Sequence, residues 1–191
     1  MQLWTGLGNP GASYALHRHN VGFMAVDVLA EVHRFSPWTK KFRSLVAEGR
    51  VGQQRILLQK PQTFMNDSGD AVQQALRFYK LDEGALTVFH DELDLAPMKV
   101  KVRVGGGLAG HNGLRSINAA LGPDFRRVRI GIGHPGHKDR VTPHVLGNYA
   151  KSEMEPLSDL LAAIASEASW LADGEDARFM SDVAMRLQQD G

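Results

Sequence analysis

The sequence predicts one α/β domain built on a mixed, mostly parallel twisted β-sheet with helices on both faces. Short apolar runs alternate with segments in which apolar residues recur at helical spacing, as in proteins built from strand–helix–strand units. Two runs are separated only by Gly52-Gln53, which predicts an antiparallel hairpin beside the parallel strands. No internal repeat or linker interrupts residues 1–191, so we expect a single domain.

The first strand, turn and helix organise the rest of the chain. Gln2–Leu7 is predicted to form a short buried strand, which the turn Gly8–Gly11 ends. Apolar residues then recur at helical spacing over Val21–Val32, which indicates an amphipathic helix. Asn20 directly precedes this helix, and we expect its side chain to cap the helix.

The middle of the chain supplies further strands and a second helix. Trp38–Arg43 is predicted to be a basic loop, and a helix with Asp67 or Ser68 as its cap follows the loop Lys60–Asn66. An acidic turn, Asp91–Asp94, follows the fourth predicted strand. The predicted strands after the first one are Ser44–Val51, Arg55–Gln59, Ala85–His90, Met98–Val104 and Phe125–Ile132.

Helices and irregular segments complete the chain. The glycine-rich loop Gly105–Gly110 leads through His111 into a helix that ends near Leu121. His134–Tyr149 is predicted to be a connector, and Leu157–Leu171 has the apolar spacing of a strong amphipathic helix. A shorter helix is expected to follow, so residues 152–191 form a helical C-terminal region.

Composition limits the classes of function. No apolar run approaches the ~20 residues that span a bilayer, and no secretory signal opens the chain, so we expect a cytoplasmic protein. Cysteine is absent, which excludes thiolate nucleophiles and disulfides. Residues 1–150 carry 19 Lys and Arg against 12 Asp and Glu, a net charge of +7, whereas residues 151–191 have a net charge of −6. The basic part is therefore a candidate surface for a polyanion.

Polar side chains suited to acid–base chemistry follow the predicted strands or start helices. Such residues meet at the carboxyl edge of a parallel sheet. His19 is the candidate general base and Asp91 its orienting carboxylate, because a carboxylate fixes the tautomer of an imidazole. The helix start after His19 is expected to keep that base neutral. Side-chain amides of Asn9, Asn66 and Asn112 can donate to a substrate carbonyl or an oxyanion.

Three other chemistries are less well supported by the sequence. Gly6, Gly8 and Gly11 match the dinucleotide-binding fingerprint, but the helical period starts about nine residues too late for that motif. Several metal-ligand types occur, yet no H-E-x-x-H motif is present and no G-x-S-x-G motif supplies a serine nucleophile. The potential ligand types are His90, Asp91, Glu92, Asp94 and His111. A water activated by His19, without metal or cofactor, is the simplest hydrolytic mechanism.

Basic and aromatic residues indicate a phosphate-bearing ligand. Arg103 precedes the glycine loop, and Arg129 lies on a strand that we expect beside it. Two guanidinium groups can clamp one phosphate through forked hydrogen bonds. Tyr14 and Phe64 can pack against a ribose or a base. No RNP signature or zinc knuckle is present, so sequence-specific RNA reading is not expected.

Five sequence blocks, in the same order over nearly the whole chain, resemble bacterial peptidyl-tRNA hydrolases. The blocks are GLGNPG with Tyr14 and Arg18–Asn20, TFMNDSG at Thr63–Gly69, HDELDL at His90–Leu95, GGGLAGHNGLRSI at Gly105–Ile117 and RIGIGHP at Arg129–Pro135. The resemblance implies a monomeric cytosolic α/β enzyme that hydrolyses the ester between a peptide and the terminal ribose of tRNA. It also implies that no metal or cofactor is needed.

The resemblance assigns roles to individual residues. His19 corresponds to the catalytic base, Asp91 to its partner, and Asn9 to the asparagine that distinguishes a blocked α-nitrogen from a free one. Arg103 and Arg129 correspond to a clamp for the tRNA 5′-phosphate. Residues matching contacts to the acceptor end, or lining the same cleft, are Tyr14, Phe64, Met65, Asn66, His111 and Asn112.

Some segments depart from the family pattern. Leu108-Ala109 and Ala96–Met98 differ from the residues common there, and Val141–Tyr149 matches the mobile lid of the family only loosely. A non-catalytic RNA-binding module of the same fold is the alternative function.

Overall fold

The computed structural model describes residues 1–190, which form seven strands around which seven helices pack. The strands are β1 (Gln2–Gly6), β2 (Thr39–Lys41), β3 (Ser44–Val51), β4 (Gln54–Pro61), β5 (Leu86–Glu92), β6 (Val100–Val104) and β7 (Arg126–Gly131). The helices are α1 (Val21–Val32), α2 (Ser68–Tyr79), α3 (Asn112–Leu121), α4 (Val141–Val145), α5 (Met154–Ser166), α6 (Ala168–Ala172) and α7 (Asp176–Asp190).

The strands form one mixed sheet in the order β2-β3-β4-β1-β5-β7-β6. Its centre, β4-β1-β5-β7, is parallel, and the remaining neighbours pair antiparallel. The parallel centre brings the carboxyl ends of β1, β5 and β7 to one edge. The predicted fold class is confirmed, including the hairpin of β3 and β4.

Apolar side chains cover both faces of the sheet. One core joins Trp4 and Phe89 to α1, α5, α6 and α7, and the other joins Leu57 and Val88 to α2 and α3. Each fully buried side chain of this size stabilises the fold by about 1.5–3 kcal/mol relative to exposure. Together the two cores fix the sheet edge on which the site lies.

Two glycines bring α1 directly against β1. A Cβ on Gly6 would clash with the main chain of Gly22, and a Cβ on Gly22 would clash with the main chains of Leu7 and Phe89. This close approach needs residues without side chains. It places the turn just before α1, which carries His19, beside the end of β5.

Several predicted boundaries were wrong. The basic loop Trp38–Arg43 contains β2, which pairs with β3 through a turn where Phe42 and Arg43 adopt positive φ. Glycine or asparagine usually marks such a turn, and neither is present here to signal it. The predicted acidic turn begins too early, because Asp91 and Glu92 still pair with β7. Tertiary pairing overrides the low strand preference of acidic residues.

The C-terminal half also differs from prediction. The predicted connector contains α4, a short helix that lines the site. The single helix expected over Leu157–Leu171 is broken at Glu167 into α5 and α6, and α6 contacts β3. The apolar period continues across the break, which is why periodicity alone did not reveal it. None of the helices in residues 1–190 has the length and apolar character needed to cross a membrane.

Candidate active site

A cavity of about 340 Å³ opens at the carboxyl edge of the parallel strands. It brings together eight residues singled out from the sequence: Asn9, His19, Phe64, Met65, Asn66, Asp91, His111 and Asn112. Tyr14 lies outside the lining, on the neighbouring 3-10 turn, where its ring packs edge-on against His17. Arg103 and Arg129 also lie outside it.

A buried carboxylate between two imidazoles forms the floor of the cavity. Asp91, at the end of β5, accepts a hydrogen bond from His19 Nδ1 at 2.8 Å through Oδ2. Its Oδ1 accepts from His111 Nε2, also at 2.8 Å. His19 uses Nδ1 for this bond, and its Nε2 has no hydrogen-bond partner among residues 1–190. The free Nε2 belongs to a cavity-lining ring and can accept a proton.

The hydrogen bonds of His111 identify its tautomer. Its Nδ1 accepts from the main-chain N–H groups of Gly113 and Leu114 at 3.1 and 3.3 Å, at the start of α3. A nitrogen that accepts carries no proton, so Nε2 bears the proton and donates to Asp91. His111 therefore joins α3 to the carboxylate and fixes its orientation independently of His19.

Burial and neighbouring charges have opposite effects on the pKa values of Asp91 and His19. Burial would raise the pKa of Asp91, but the neighbouring imidazoles of His111 and His19 lower it well below its usual range. Burial would lower the pKa of His19, but the charge and hydrogen bond of Asp91 outweigh it, and the net shift is upward. The expectation that the helix start keeps His19 neutral is therefore wrong in direction, because Asp91 dominates.

His90 lies beside this site with its ring buried and hydrogen-bonded to the main chain. Its ring is fully buried, and Nδ1 donates to the main-chain oxygen of Asp91 at 2.8 Å. Burial, reinforced by the nearby His111, lowers the pKa of His90 to about 3. The ring is therefore neutral at physiological pH and supports the end of β5.

Asn20 holds the loop that carries Asn9. The sequence predicts that it caps α1, but its side chain forms no capping bond. Instead its Oδ1 accepts from the main-chain N–H of Asn9 at 2.9 Å, and its Nδ2 donates to the main-chain oxygen of Asn9 at 2.9 Å. The expected caps of α2 were Asp67 and Ser68. The Asp67 side chain forms no capping bond, and the Ser68 hydroxyl donates to Met65 O instead.

The side chain of Asn9 is fixed by a further bond. Its Oδ1 accepts from the main-chain N–H of Met65 at 2.9 Å. The oxygen is thereby engaged, and the Nδ2 amide group remains as a donor in the lining of the cavity. The sequence drew attention to Asn9 but missed Asn20 as its support, because a residue before a helix is ordinarily read as a cap.

We predict that Asn20→Asp impairs the site through Asn9. The new carboxylate oxygen would face the main-chain oxygen of Asn9, replacing a hydrogen bond with repulsion. A buried group left without its partner costs about 1–3 kcal/mol of stability, and we expect activity to fall about tenfold. Thermal unfolding and steady-state kinetics measure both. Asn118→Asp, a similar change on α3, is the control, and equal behaviour of the two variants would contradict the prediction.

Polar and aromatic side chains surround the mouth of the cavity. Asn66 and Asn112 are exposed, and neither side-chain amide bonds to another group within residues 1–190. Phe64 is 61% exposed, which is unusual for an aromatic side chain of its size. Free amides and an exposed ring at one cavity mouth are suited to binding a ligand with carbonyl and aromatic groups.

The α4 segment forms one wall of the cavity. Val141, Val145 and neighbouring residues line it. Arg18 connects this segment to the turn before α1. Its Nη1 donates to His144 O at 3.3 Å, and its Nη2 forms an ion pair with Glu153 at 2.9 Å. That this segment moves as a lid stays a prediction.

A basic cluster lies on β6 and β7. Strand pairing places Arg103 opposite Arg127 and Lys101 opposite Arg129. The side chain of Arg127 is buried and donates to the main-chain oxygens of Gly106, Gly107 and Pro123. Burial and the charges of Arg103 and Arg129 lower the pKa of Arg127. Sequence reasoning missed Arg127 as the residue that pins the glycine loop.

The same residues that form the acid–base cluster are also metal-ligand types. One ligand atom from each of His19, Asp91 and His111 lies within 4.8 Å of the others. A cation bound there would displace the protons that both imidazoles now donate to Asp91. This differs from the group considered from the sequence, which did not include His19.

Known proteins resemble this chain over nearly its full length. The sequence profile described as peptidyl-tRNA hydrolase matches residues 3–190. The peptidyl-tRNA hydrolase of Sphingopyxis alaskensis is 70% identical over 188 residues, which cover 98% of this chain and 100% of that protein. That of Rhizorhabdus wittichii is 68% identical over 187 residues, or 98% and 99% of the two chains.

The fold agrees with these sequence matches. The crystal structure of peptidyl-tRNA hydrolase from Acinetobacter baumannii superposes with a TM-score of 0.90 and 38% sequence identity, covering 96% of this chain and 94% of that chain. The resemblance stated from the five sequence blocks is thereby confirmed. On sequence and fold alike, the chain belongs to the peptidyl-tRNA hydrolase family.

Proposed function

We propose that this protein hydrolyses the ester bond of peptidyl-tRNA, releasing tRNA and peptide, with His19 as the general base. Membership of the family supports the reaction. The observation that carries the mechanism is the His19–Asp91 bond at 2.8 Å, which leaves Nε2 of a cavity-lining imidazole free to accept a proton.

The reaction proceeds by attack of water on the ester carbonyl. His19 Nε2 removes a proton from the water as its oxygen bonds to the carbonyl carbon, and Asp91 stabilises the imidazolium that forms. The tetrahedral intermediate then breaks the bond between carbon and ribose oxygen. The imidazolium returns its proton to that oxygen, so tRNA leaves with a free hydroxyl group and the peptide leaves as an acid.

An amide donor stabilises the oxyanion. Asn66 and Asn112 both line the cavity with unbonded side chains, and either can donate to the developing charge. Both side chains are exposed to water, so bound substrate must exclude water from the cavity before these hydrogen bonds reach full strength. Met65, His111 and Phe64 form the surrounding surface, and Tyr14 would contact substrate that extends beyond the cavity.

Asn9 discriminates between blocked and free amino groups. Its Oδ1 is engaged by Met65 N–H, so only the Nδ2 donor remains for substrate. A donor matches the acyl carbonyl that precedes the α-nitrogen in a peptide. A free aminoacyl ester has no such carbonyl, and its charged amine faces a donor instead. This arrangement disfavours hydrolysis of ordinary aminoacyl-tRNA.

Arg103 and Arg129 hold the 5′-phosphate of tRNA. They flank the guanidinium of Arg127, and the repulsion among these like charges is relieved when an anion binds. The Arg129 guanidinium lies 3.6 Å from Glu92, which directs it to the cavity side of the cluster. We place the working enzyme in the cytoplasm, where ribosomes produce peptidyl-tRNA, as a monomer.

Removing the positive charge of this clamp is predicted to raise KM for tRNA substrates more than it lowers kcat. In the double variant Arg103→Glu and Arg129→Gln, we expect KM to rise about tenfold and the slope of log KM against log salt concentration to fall by about 1–2. Kinetics at several salt concentrations measure both. Arg50→Glu, which reverses a charge at the end of β3 away from the cluster, is the control and should leave both unchanged. An unchanged salt slope in the double variant would contradict the proposal that Arg103 and Arg129 bind the phosphate.

One assay tests the function and the two alternatives. The purified protein is incubated, with EDTA present, with N-acetyl-aminoacyl-tRNA and separately with aminoacyl-tRNA that has a free amine. We expect rapid release of tRNA from the blocked ester only. Binding of tRNA without cleavage would instead support a non-catalytic RNA-binding module. Activity that returned only on addition of a divalent metal would assign the His19, Asp91 and His111 cluster to a metallohydrolase.

A further inference from the structure

A second, shallower groove of about 230 Å³ lies next to the active-site cavity. Asn9 lines both, so this residue forms their shared border. The groove runs between α1, the ends of β3 and β4, and the loop after β1. Its apolar lining residues are Pro10, Ala15, Phe23, Met24 and Leu45.

Strand order places this groove opposite the basic cluster. β7 and β6, which carry Arg129 and Arg103, lie on one side of β5. β4 and β3, which border the groove, lie on the other side of β1. His19 and Asp91 lie between them. Across the strands of the sheet, the basic cluster, the hydrolytic centre and the apolar groove therefore follow one another in that order.

A peptidyl-tRNA has the same linear order. Its 5′-phosphate and acceptor stem come first, the ester follows, and the peptide extends away from the tRNA. We infer that the groove binds the peptide residues that precede the ester-linked amino acid, and that it favours large apolar side chains there. This inference rests on the proposed function.

The lining of the groove explains the preference for apolar residues. Phe23 and Met24 offer apolar surface from α1, and burial of a side chain against such surface removes it from water. The charged groups at the groove are already paired, since Lys60 Nζ lies 2.6 Å from Asp27 Oδ1 and 4.3 Å from the centre of the Trp38 ring. A paired lysine offers little attraction to a charged peptide side chain.

The preference is measured with three substrates on one tRNA: N-acetyl-phenylalanyl, N-acetyl-leucyl-leucyl-phenylalanyl and N-acetyl-glycyl-glycyl-phenylalanyl esters. The ester-linked residue is the same in all three, so only the upstream residues differ. We expect kcat/KM for the leucyl peptide to exceed that for the glycyl peptide about tenfold, a size typical of an apolar subsite. Equal values would overturn the inference.

A variant that fills the groove tests its location. Ala15 is exposed on the rim and adopts ordinary right-handed helical φ and ψ, so Ala15→Trp can place a ring in the groove without disturbing the core. We expect the leucyl-to-glycyl ratio to fall to about 1–2. Ala12→Trp, an exposed position on the same turn outside the lining, is the matched control and should keep the wild-type ratio.

The outcomes separate the inference from the proposed function. A ratio that Ala15→Trp leaves unchanged, with an unfolding temperature equal to that of the control, would overturn the groove as the peptide subsite. Failure of the wild-type protein to cleave even N-acetyl-phenylalanyl-tRNA would overturn the proposed function itself. A leucyl-to-glycyl ratio near 1 in Ala15→Trp, together with the wild-type ratio in Ala12→Trp, would support both the peptide subsite and the proposed function.

Discussion

His19→Ala should reduce kcat for N-acetyl-aminoacyl-tRNA by about 10³- to 10⁴-fold, with KM changed little. In the proposed mechanism, the variant removes the Nε2 that would accept the proton of the attacking water. It leaves in place the asparagine amides and the basic cluster that we propose as substrate-binding groups. Single-turnover assays with enzyme in saturating excess over the substrate measure the loss directly.

The His19→Ala protein should still fold. Asp91 keeps its bond from His111 Nε2, so the buried carboxylate is not left without a partner. His137→Ala, which removes an exposed imidazole from another loop, is the control and should retain wild-type turnover. Turnover of His19→Ala within tenfold of the wild type would show that another group acts as the base.

Asp91→Asn should lower the plateau of kcat/KM by about 10²- to 10⁴-fold and move its acidic limb to lower pH. The amide oxygen can accept only a weaker hydrogen bond from His19 Nδ1–H. Alternatively, the amide NH2 can donate to Nδ1, which stabilises the tautomer whose Nε2 bears a proton and cannot act as a base. The limb moves because Asp91 is what raises the pKa of His19. Without that charge, burial acts alone and lowers the pKa, so His19 loses its proton at a lower pH.

The full pH dependence of kcat/KM tests this prediction. In the wild type, activity should rise with pH through a midpoint above 6.5, the ordinary pKa of histidine. Asp94→Asn, at an exposed position on the turn after β5, should leave both the midpoint and the plateau in place. A midpoint that stays fixed or moves upward in Asp91→Asn would contradict the assignment of Asp91 as the partner of His19.

Local sequence patterns determined most of the fold. Helical apolar spacing depends on which face of an element is buried, and this spacing predicted α1. Short apolar runs ended by turn residues predicted β1 and the β3–β4 hairpin. The short strand β2 was missed because its turn has Phe42 and Arg43 where glycine or asparagine is usual. The break between α5 and α6 was missed because apolar spacing continues across Glu167.

For the site, the sequence determined which chemical groups are present and the family to which the chain belongs. Residue types and motif order singled out His19, Asp91 and Asn9 as candidates, and eight of the candidate residues lie together at the cavity. Only the tertiary structure decided how these groups act on one another. His111 as a second partner of Asp91, and Asn20 as the support of Asn9, depend on hydrogen bonds between separate segments of the chain.

The direction of the His19 pKa shift illustrates the physical reason. The sequence suggested a neutral base through the nearby helix start, which is a local effect. The structure places Asp91, 72 residues away in the chain, at 2.8 Å, and at that distance its charge and hydrogen bond outweigh the effect of burial. Electrostatic interactions in a buried site depend on separation in space and on burial, and neither quantity is encoded in the local pattern of residues.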